Sequence, residues 1–158
     1  MIFEYKEISL TQKYKTMRKH YKKHKINGYK GMYNKKMNDN TYKERRIIMN
    51  HLYTLKNHVK KQGMDIPRIN VRISKRTEQN TPLGVGRHID CTIWIPINYF
   101  QDNNLEKHLL FVTAHEVLHA AYNVPHNNKC KLMCPKLNTK ISNAEVLRIF
   151  SDYVKKYS

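Results

Sequence analysis

The sequence predicts an α+β domain over residues 41–158, behind a basic segment at 1–40. Two observations carry that fold class. Three stretches place apolar residues at helical spacing behind N-capping side chains, and two stretches between the first and second alternate apolar and polar residues like half-buried strands. Helix, strands, central helix, irregular loop and terminal helix in that order describe one α+β unit, and 158 residues suit one such unit better than two.

Thr41 followed three residues later by Glu44 predicts a capping box at the first helix start. Ile48, Leu52, Leu55 and Val59 then recur along one face, and Gln62-Gly63 supplies a stop. "RINVRIS" alternates Ile69, Val71 and Ile73 with polar residues and predicts a first strand. "TPLGVG" reads as a turn or loop. "RHIDCTIWIP" alternates Ile89, Cys91, Ile93 and Ile95 with His88, Asp90, Thr92 and Trp94 until Pro96 ends a second strand. "NNLEKHLLFVTAHEVLHAAY" predicts one long, mostly buried helix capped by Asn103 and Glu106, with Leu109, Leu110, Val112, Val117, Leu118 and Ala121 on its apolar surface. Ser142 and Glu145 form a second capping box, opening a terminal helix with Val146, Ile149, Phe150 and Tyr153 on one face.

Thirty Lys and Arg against twelve Asp and Glu give a formal charge of +18, which attracts polyanions such as nucleic acid or anionic membrane at low salt. Residues 1–46 hold fourteen of the basic side chains and four of the acids, so the positive density is N-terminal. Residues 12–36 contain ten Lys or Arg and no acid, with Tyr14, Tyr21, Tyr29 and Tyr33 interleaved. This segment is a candidate for gripping phosphates while tyrosines stack on bases; its plainer reading is a solvated basic extension. The same lysine- and asparagine-rich bias is what an AT-rich coding genome would give. No apolar run reaches the length of a membrane span, and "MIFEYKEISL" lacks the order of a secretory signal, so a cytoplasmic or virion-associated protein is expected. Three cysteines, Cys91, Cys130 and Cys134, are too few and odd in number for a disulfide framework.

The densest chemistry lies in "HEVLHAAYNVPHNNKCKLMCP", His115 to Pro135. His115 and His119, four apart on a helix, project from one face one turn apart, a separation that suits one tetrahedral zinc. Glu116, beside the first histidine, points toward the coordination sphere without entering it, where a general base for a zinc-bound water must sit. His126, seven residues after His119, supplies a third imidazole.

On these residues the stretch resembles the metzincin superfamily of zinc peptidases, and most of all its small matrixin-like members, whose pattern is HExxHxxGxxH with a downstream methionine turn. His115, Glu116 and His119 match the motif, His126 stands where the third ligand is wanted, and "KLMCP" stands where the Met-turn is wanted. The resemblance covers residues 41–158. It implies a small twisted mixed sheet with an active-site helix, one catalytic Zn2+ on His115, His119 and His126, Glu116 as general base, Met133 as the structural Met-turn residue, and endopeptidase activity on a peptide or protein substrate. Two departures stand out: one extra residue separates the second and third histidines, and the turn glycine is missing. Asn123 accounts for both if it takes the left-handed conformation that glycine usually supplies, since Asn123-Val124-Pro125-His126 keeps the spacing of G-x-x-H. Cys134 stands where the Met-turn often has tyrosine. Archaemetzincins also place cysteines near the third histidine, at a different spacing.

Other readings of the same stretch stay open on sequence alone. Cys130 and Cys134 could close a structural zinc site with His115 and His119. Glu145 could serve as a distal ligand, although its capping position already explains it. His108 shares the helix face of His115 but reads as an ordinary histidine, and Trp94 and Asp90 could line a substrate cleft. The alternative to an enzyme is a non-catalytic, nucleic-acid-associated or virion-type protein that retains the scaffold.

Overall fold

The computed structural model describes residues 41–75 and 83–158; the basic segment 12–36, and Thr81-Pro82 of the expected turn, lie outside the described residues. The elements run α1 (Tyr42–Lys60), β1 (Asn70–Ser74), β2 (Val85–Arg87), β3 (Thr92–Pro96), α2 (Asn103–Glu106), α3 (Leu109–Tyr122) and α4 (Asn143–Tyr157). Single 3-10 turns follow β2 at His88–Asp90 and β3 at Ile97–Phe100. The fold is therefore a small α+β domain with a three-stranded mixed sheet.

Helix α1 buries Ile48, Leu52, Leu55 and Val59, the face its spacing predicts, and stops where Gly63 takes φ +78°. Its start differs from expectation. Thr41 makes no side-chain cap bond, and Glu44 leaves its Oε2 buried without a hydrogen-bond partner, so the Thr41–Glu44 box is absent. The box at α4 is half formed: Ser142 Oγ accepts from the Glu145 N–H at 3.2 Å, while the Glu145 carboxylate turns to Lys131 at 2.9 Å.

The sheet order is β1-β3-β2, with β3 parallel to β1 and antiparallel to β2. Central β3 buries Thr92, Ile93, Ile95 and Pro96, so it is covered on both faces and does not follow simple alternation. The expected strand over 87–96 is in fact two elements. Arg87 donates two hydrogen bonds to the Asp90 carboxylate, at 3.0 and 2.6 Å, across a tight 3-10 turn, and Cys91 follows at φ +49°. This reversal lets β2 fold back antiparallel onto β3 and leaves Ile89 41% exposed instead of inward-facing. The expected turn at "TPLGVG" accordingly ends in the first two residues of an edge strand.

The long central helix is also divided. Asp102, not Asn103, caps its first turn, its carboxylate accepting from the Asn104 N–H at 2.8 Å, and the chain breaks at Lys107-His108 before α3 begins. Helix α3 is buried on nearly all sides, with twelve of its residues enclosed, because α1, α4, β2 and β3 all pack on it. A helix so enclosed is a rigid carrier for whatever side chains its one open edge presents.

One glycine lets β2 lie directly on that helix, and another lets the chain ahead of β2 approach β3. A Cβ at Gly86 would collide with the carbonyl oxygen of Glu116 and come within 2.7 Å of the His119 Cβ; one at Gly84, where φ is +146°, would collide with the carbonyl oxygen of Trp94. At Gly63 the left-handed backbone stands in open space. Gly63→Ala should therefore cost only the conformational penalty, about 1 kcal/mol, whereas Gly86→Ala must displace backbone and should cost clearly more, about 2–3 kcal/mol. Urea-unfolding midpoints of the two variants check the order.

Candidate metal centre

His115 and His119 reach one point because α3 turns once between them, and His126 reaches the same point because the helix ends sharply. Asn123 sits at φ +53°, ψ +37°, the left-handed position, and its N–H bonds the His119 carbonyl at 3.0 Å. Tyr122 is the last helical residue, so the extra residue between the second and third histidines lies within the helix, ahead of the turn. From Asn123 the chain doubles back through Val124 and Pro125 to His126.

The three Nε2 atoms face one another: His115 to His119 at 3.1 Å, His119 to His126 at 3.0 Å, and His115 to His126 at 3.2 Å. Their tautomers follow from what lies behind two of the rings. His115 Nδ1 is 2.7 Å from the Leu132 carbonyl, and His119 Nδ1 is 2.6 Å from the Val124 carbonyl. A carbonyl only accepts, so each Nδ1 carries the proton, and in the neutral ring each Nε2 is left with a bare lone pair aimed into the cluster. Lone pairs held this close repel unless a cation or protons lie between them. Tetrahedral zinc with bonds of 2.0–2.1 Å would set neighbouring nitrogens about 3.3 Å apart. The triangle is within a few tenths of an ångström of that spacing, so the three residues fit a metal ion, and among the described residues they are the group able to hold one.

The surroundings favour the neutral forms of His115 and His119. Burial pushes His115 down to about 4, against the opposing hydrogen bond to Leu132, and burial also lowers His119. Phe111, one turn earlier, stacks on the His115 ring with centroids 6.2 Å apart. His115 is buried, His119 half-buried and His126 exposed, so the centre opens to solvent on the His126 side.

Glu116 points into the same region. Its Oε1 lies 3.8 Å from His115 Nε2, close to the cluster but outside hydrogen-bond range, and its Oε2 is buried without a partner. Burial raises its pKa to about 8. Tyr99, buried nearby, is pushed up to about 12 by burial and by the charge of Glu116.

The loop after His126 braces the centre. Asn127 N–H bonds the Met133 carbonyl at 2.9 Å, Cys134 N–H bonds the Cys130 carbonyl at 3.1 Å, and Met133 N–H points at Cys130 Sγ at 3.4 Å. Consecutive carbonyls of Leu132 and Met133 thus fix His115 and the residue beside His126. Met133 itself is fully buried in the core.

The remaining candidates from the sequence lie elsewhere. Cys130 and Cys134 are partly buried free thiols and do not join the histidines. Glu145 is held by Lys131 and by Arg148 at 3.6 Å. His108 ends the break before α3, its carbonyl accepting from Val112. Asp90 is taken up by Arg87: partial burial works to raise it, but the hydrogen bonds and charge of Arg87 hold it below the ordinary carboxylate value. Trp94 lies beneath the same guanidinium, 6.0 Å from its ring centre.

Sequence reasoning missed Gly84, Gly86, Tyr99 and His88, whose Nδ1 lies 2.8 Å from the Ala120 carbonyl and pins the β2 turn to α3. The paired glycines of "LGVG" were the one available signal; two small residues with one between put two gaps on one face of a strand.

No protein-family model, curated protein or solved structure matches the chain. The fold and the site define a small α+β protein with three histidines able to hold a metal ion, and among the described residues no helix is long and apolar enough to cross a membrane.

In the metal-free chain the buried Glu116 carboxylate has a testable cost. Its folded pKa of about 8 lies above the usual 4.5, so the folded state binds the extra proton and loses stability as pH rises between those values, by about 1.4 kcal/mol per unit. Glu116→Gln removes this titration. In chelator-treated protein its advantage over the parent should be absent near pH 4 and grow up to pH 8, as read from thermal midpoints.

Proposed function

We propose that the protein is a zinc-dependent endopeptidase of metzincin-like type, with His115, His119 and His126 as metal ligands, Glu116 as general base and Met133 as the structural residue of the loop behind the metal. One observation carries this reading: three imidazole Nε2 atoms converge on a point, two of them with lone pairs fixed inward, and an unpartnered buried carboxylate stands beside them. A divalent metal held there supplies Lewis-acid polarisation of a scissile carbonyl and acidifies the attacking water.

The chain's own residues supply the rest. The backbone carbonyls behind His115 and His119 orient the rings and raise their basicity as ligands, while burial favours their neutral forms. Glu116 stands in a dry pocket, so its carboxylate is a stronger base than one in water, and the positive charge of a bound metal offsets the burial that otherwise favours its protonated form. It accepts a proton from the attacking water at Oε1, the oxygen 3.8 Å from His115 Nε2, and returns it to the leaving amine. Three protein ligands leave a position open, as in hydrolytic sites and unlike closed structural ones. His126 is exposed, which supports access of a polypeptide to that position. The engagement of Glu145 with Lys131 and the separation of the cysteines from the histidines favour this ligand set over the two competing ones.

Elemental analysis should find one zinc per chain in the parent protein and in Glu116→Gln, and little or none in His126→Ala. Hydrolysis of a fluorogenic peptide library should fall at least about a hundredfold in Glu116→Gln. Zinc retained in full by His126→Ala would overturn the ligand set; equal hydrolysis by Glu116→Gln would overturn the base.

A second consequence concerns the turn. Asn123→Gly preserves the left-handed backbone and should leave zinc affinity within a few-fold of the parent, whereas Asn123→Val should cost about 1–2 kcal/mol of stability and weaken zinc binding as His126 is displaced. Competition with a chromogenic chelator reads the affinities.

A further inference from the structure

Helix α1 presents an outer face that neither the core nor the metal centre uses. Ile48, Leu52, Leu55 and Val59 commit one side of the helix to the interior. On the outside, Tyr42, Arg46, Met49, Tyr53, Lys56 and Lys60 follow one another at i, i+4, i+7, i+11, i+14 and i+18, which is a single stripe along the axis. Tyr42 is 63% exposed, Met49 51% and Tyr53 67%, the largest exposures of big apolar side chains among the described residues. Arg45 flanks the stripe and is also exposed. Glu44, the acid of this helix, lies on the opposite side, partly buried. Lys56 has an acidic neighbour, Asp65, only at 3.7 Å and with both groups well exposed, a weak pair that a polyanion would displace.

We propose that this stripe binds single-stranded nucleic acid, the guanidinium and ammonium groups contacting phosphates and Tyr42 and Tyr53 stacking on bases. The chemistry favours that partner over others. Two exposed tyrosines about 16 Å apart, at 1.5 Å per residue, with cations between and beyond them, match a strand that offers charge and unpaired aromatic faces together. A duplex hides its bases from a flat helix face. An anionic membrane would want a continuous apolar face with cations at its margins; here the apolar face of α1 is already in the core and Arg46 interrupts the exposed one. The surface is distinct from the basic segment at 12–36 and from the histidine cluster, so it stands or falls apart from the peptidase reading.

The test uses the full chain and a fluorescein-labelled oligothymidylate, with binding followed by anisotropy across a salt series. Tyr42→Ala with Tyr53→Ala should weaken binding about tenfold or more, and Tyr42→Phe with Tyr53→Phe should restore it, since the ring and not the hydroxyl does the stacking. Both pairs should leave affinity for inorganic polyphosphate, which has charge but no bases, unchanged. Arg45→Ala with Arg46→Ala should weaken both ligands and reduce the salt slope by about 1.4, for two phosphates on a single strand. All these side chains are exposed, so circular dichroism should show the fold retained. Oligothymidylate binding unaffected by the alanine pair would overturn the proposal. So would loss in the alanine pair of binding to phosphatidylserine vesicles alone, which would assign the stripe to a membrane instead.

Discussion

The candidate metal centre depends on two hydrogen bonds whose acceptors are backbone carbonyls, Leu132 behind His115 and Val124 behind His119. A free imidazole exchanges its proton between two nitrogens and rotates about χ2. Once Nδ1 must donate backward, Nε2 can only point forward with its lone pair, and the ring plane is set by the carbonyl. Neither carbonyl would be in place without the chain reversal at Asn123, which turns Val124 back over its own helix, and the loop bonds that tie Asn127 to Met133 and Cys134 to Cys130. Thus a single left-handed residue and a short closed loop convert two histidines on a helix into half of a coordination sphere, then deliver the third.

The same geometry explains why the centre is costly without a cation. Three imidazole Nε2 atoms converge, those of His115 and His119 with their lone pairs inward, and beside them a carboxylate stands buried with one oxygen unpartnered. Each burial is unfavourable alone, and burial shifts His115 down and Glu116 up, both toward their neutral forms. A divalent cation reverses the sign of the problem, because it attracts the lone pairs and the carboxylate charge alike. The rest of the fold holds this unfavourable cluster together by enclosing α3: α1, α4 and the sheet leave that helix no freedom to relieve the repulsion by tilting or unwinding.

What the sequence made legible follows from what is local. The face of α1, the stop at Gly63, the convergence of His115 and His119 and the turn at Asn123 all depend on residues within a few positions of one another, and the structure shows them where spacing puts them; α4 buries Val146 and Phe150 as expected, but its buried side runs on to Ser151 and Val154 and leaves Ile149 and Tyr153 only partly covered. Elements set by long-range pairing were misread. The alternation through 87–96 looked like one strand because Ile89 and Cys91 kept its period, yet the Arg87–Asp90 pair closes a turn there and β2 finds its partner in β3 only by folding back. Likewise Thr41-x-x-Glu44 and Ser142-x-x-Glu145 share a pattern, but only at Ser142 does the side chain reach a backbone N–H, and Lys131 draws the Glu145 carboxylate away. The carbonyls that orient the histidines carry no side-chain signature, so the shape of the pocket was invisible while its residues were plain.

The placement of β2 links these local and distant features. Gly86 brings an edge strand against the very turn of α3 that carries Glu116 and His119, closer than a residue with a side chain would allow, and Gly84 just ahead of the strand lets the chain approach the Trp94 carbonyl of β3. His88 then fastens the following turn to the Ala120 carbonyl, between the metal-facing turn and the helix end. The strand is thus held by the helix as much as by its sheet partner, and it forms an outer edge of the sheet with Val85 exposed. A short, glycine-bearing edge is a poor choice for stabilising a sheet, because glycine packs nothing and gives up the most backbone entropy. It is a reasonable choice where the requirement is close approach: excluding water from one side of Glu116 while leaving the His126 side open. The weakest strand of the domain is therefore where stability has been yielded to the geometry of the site.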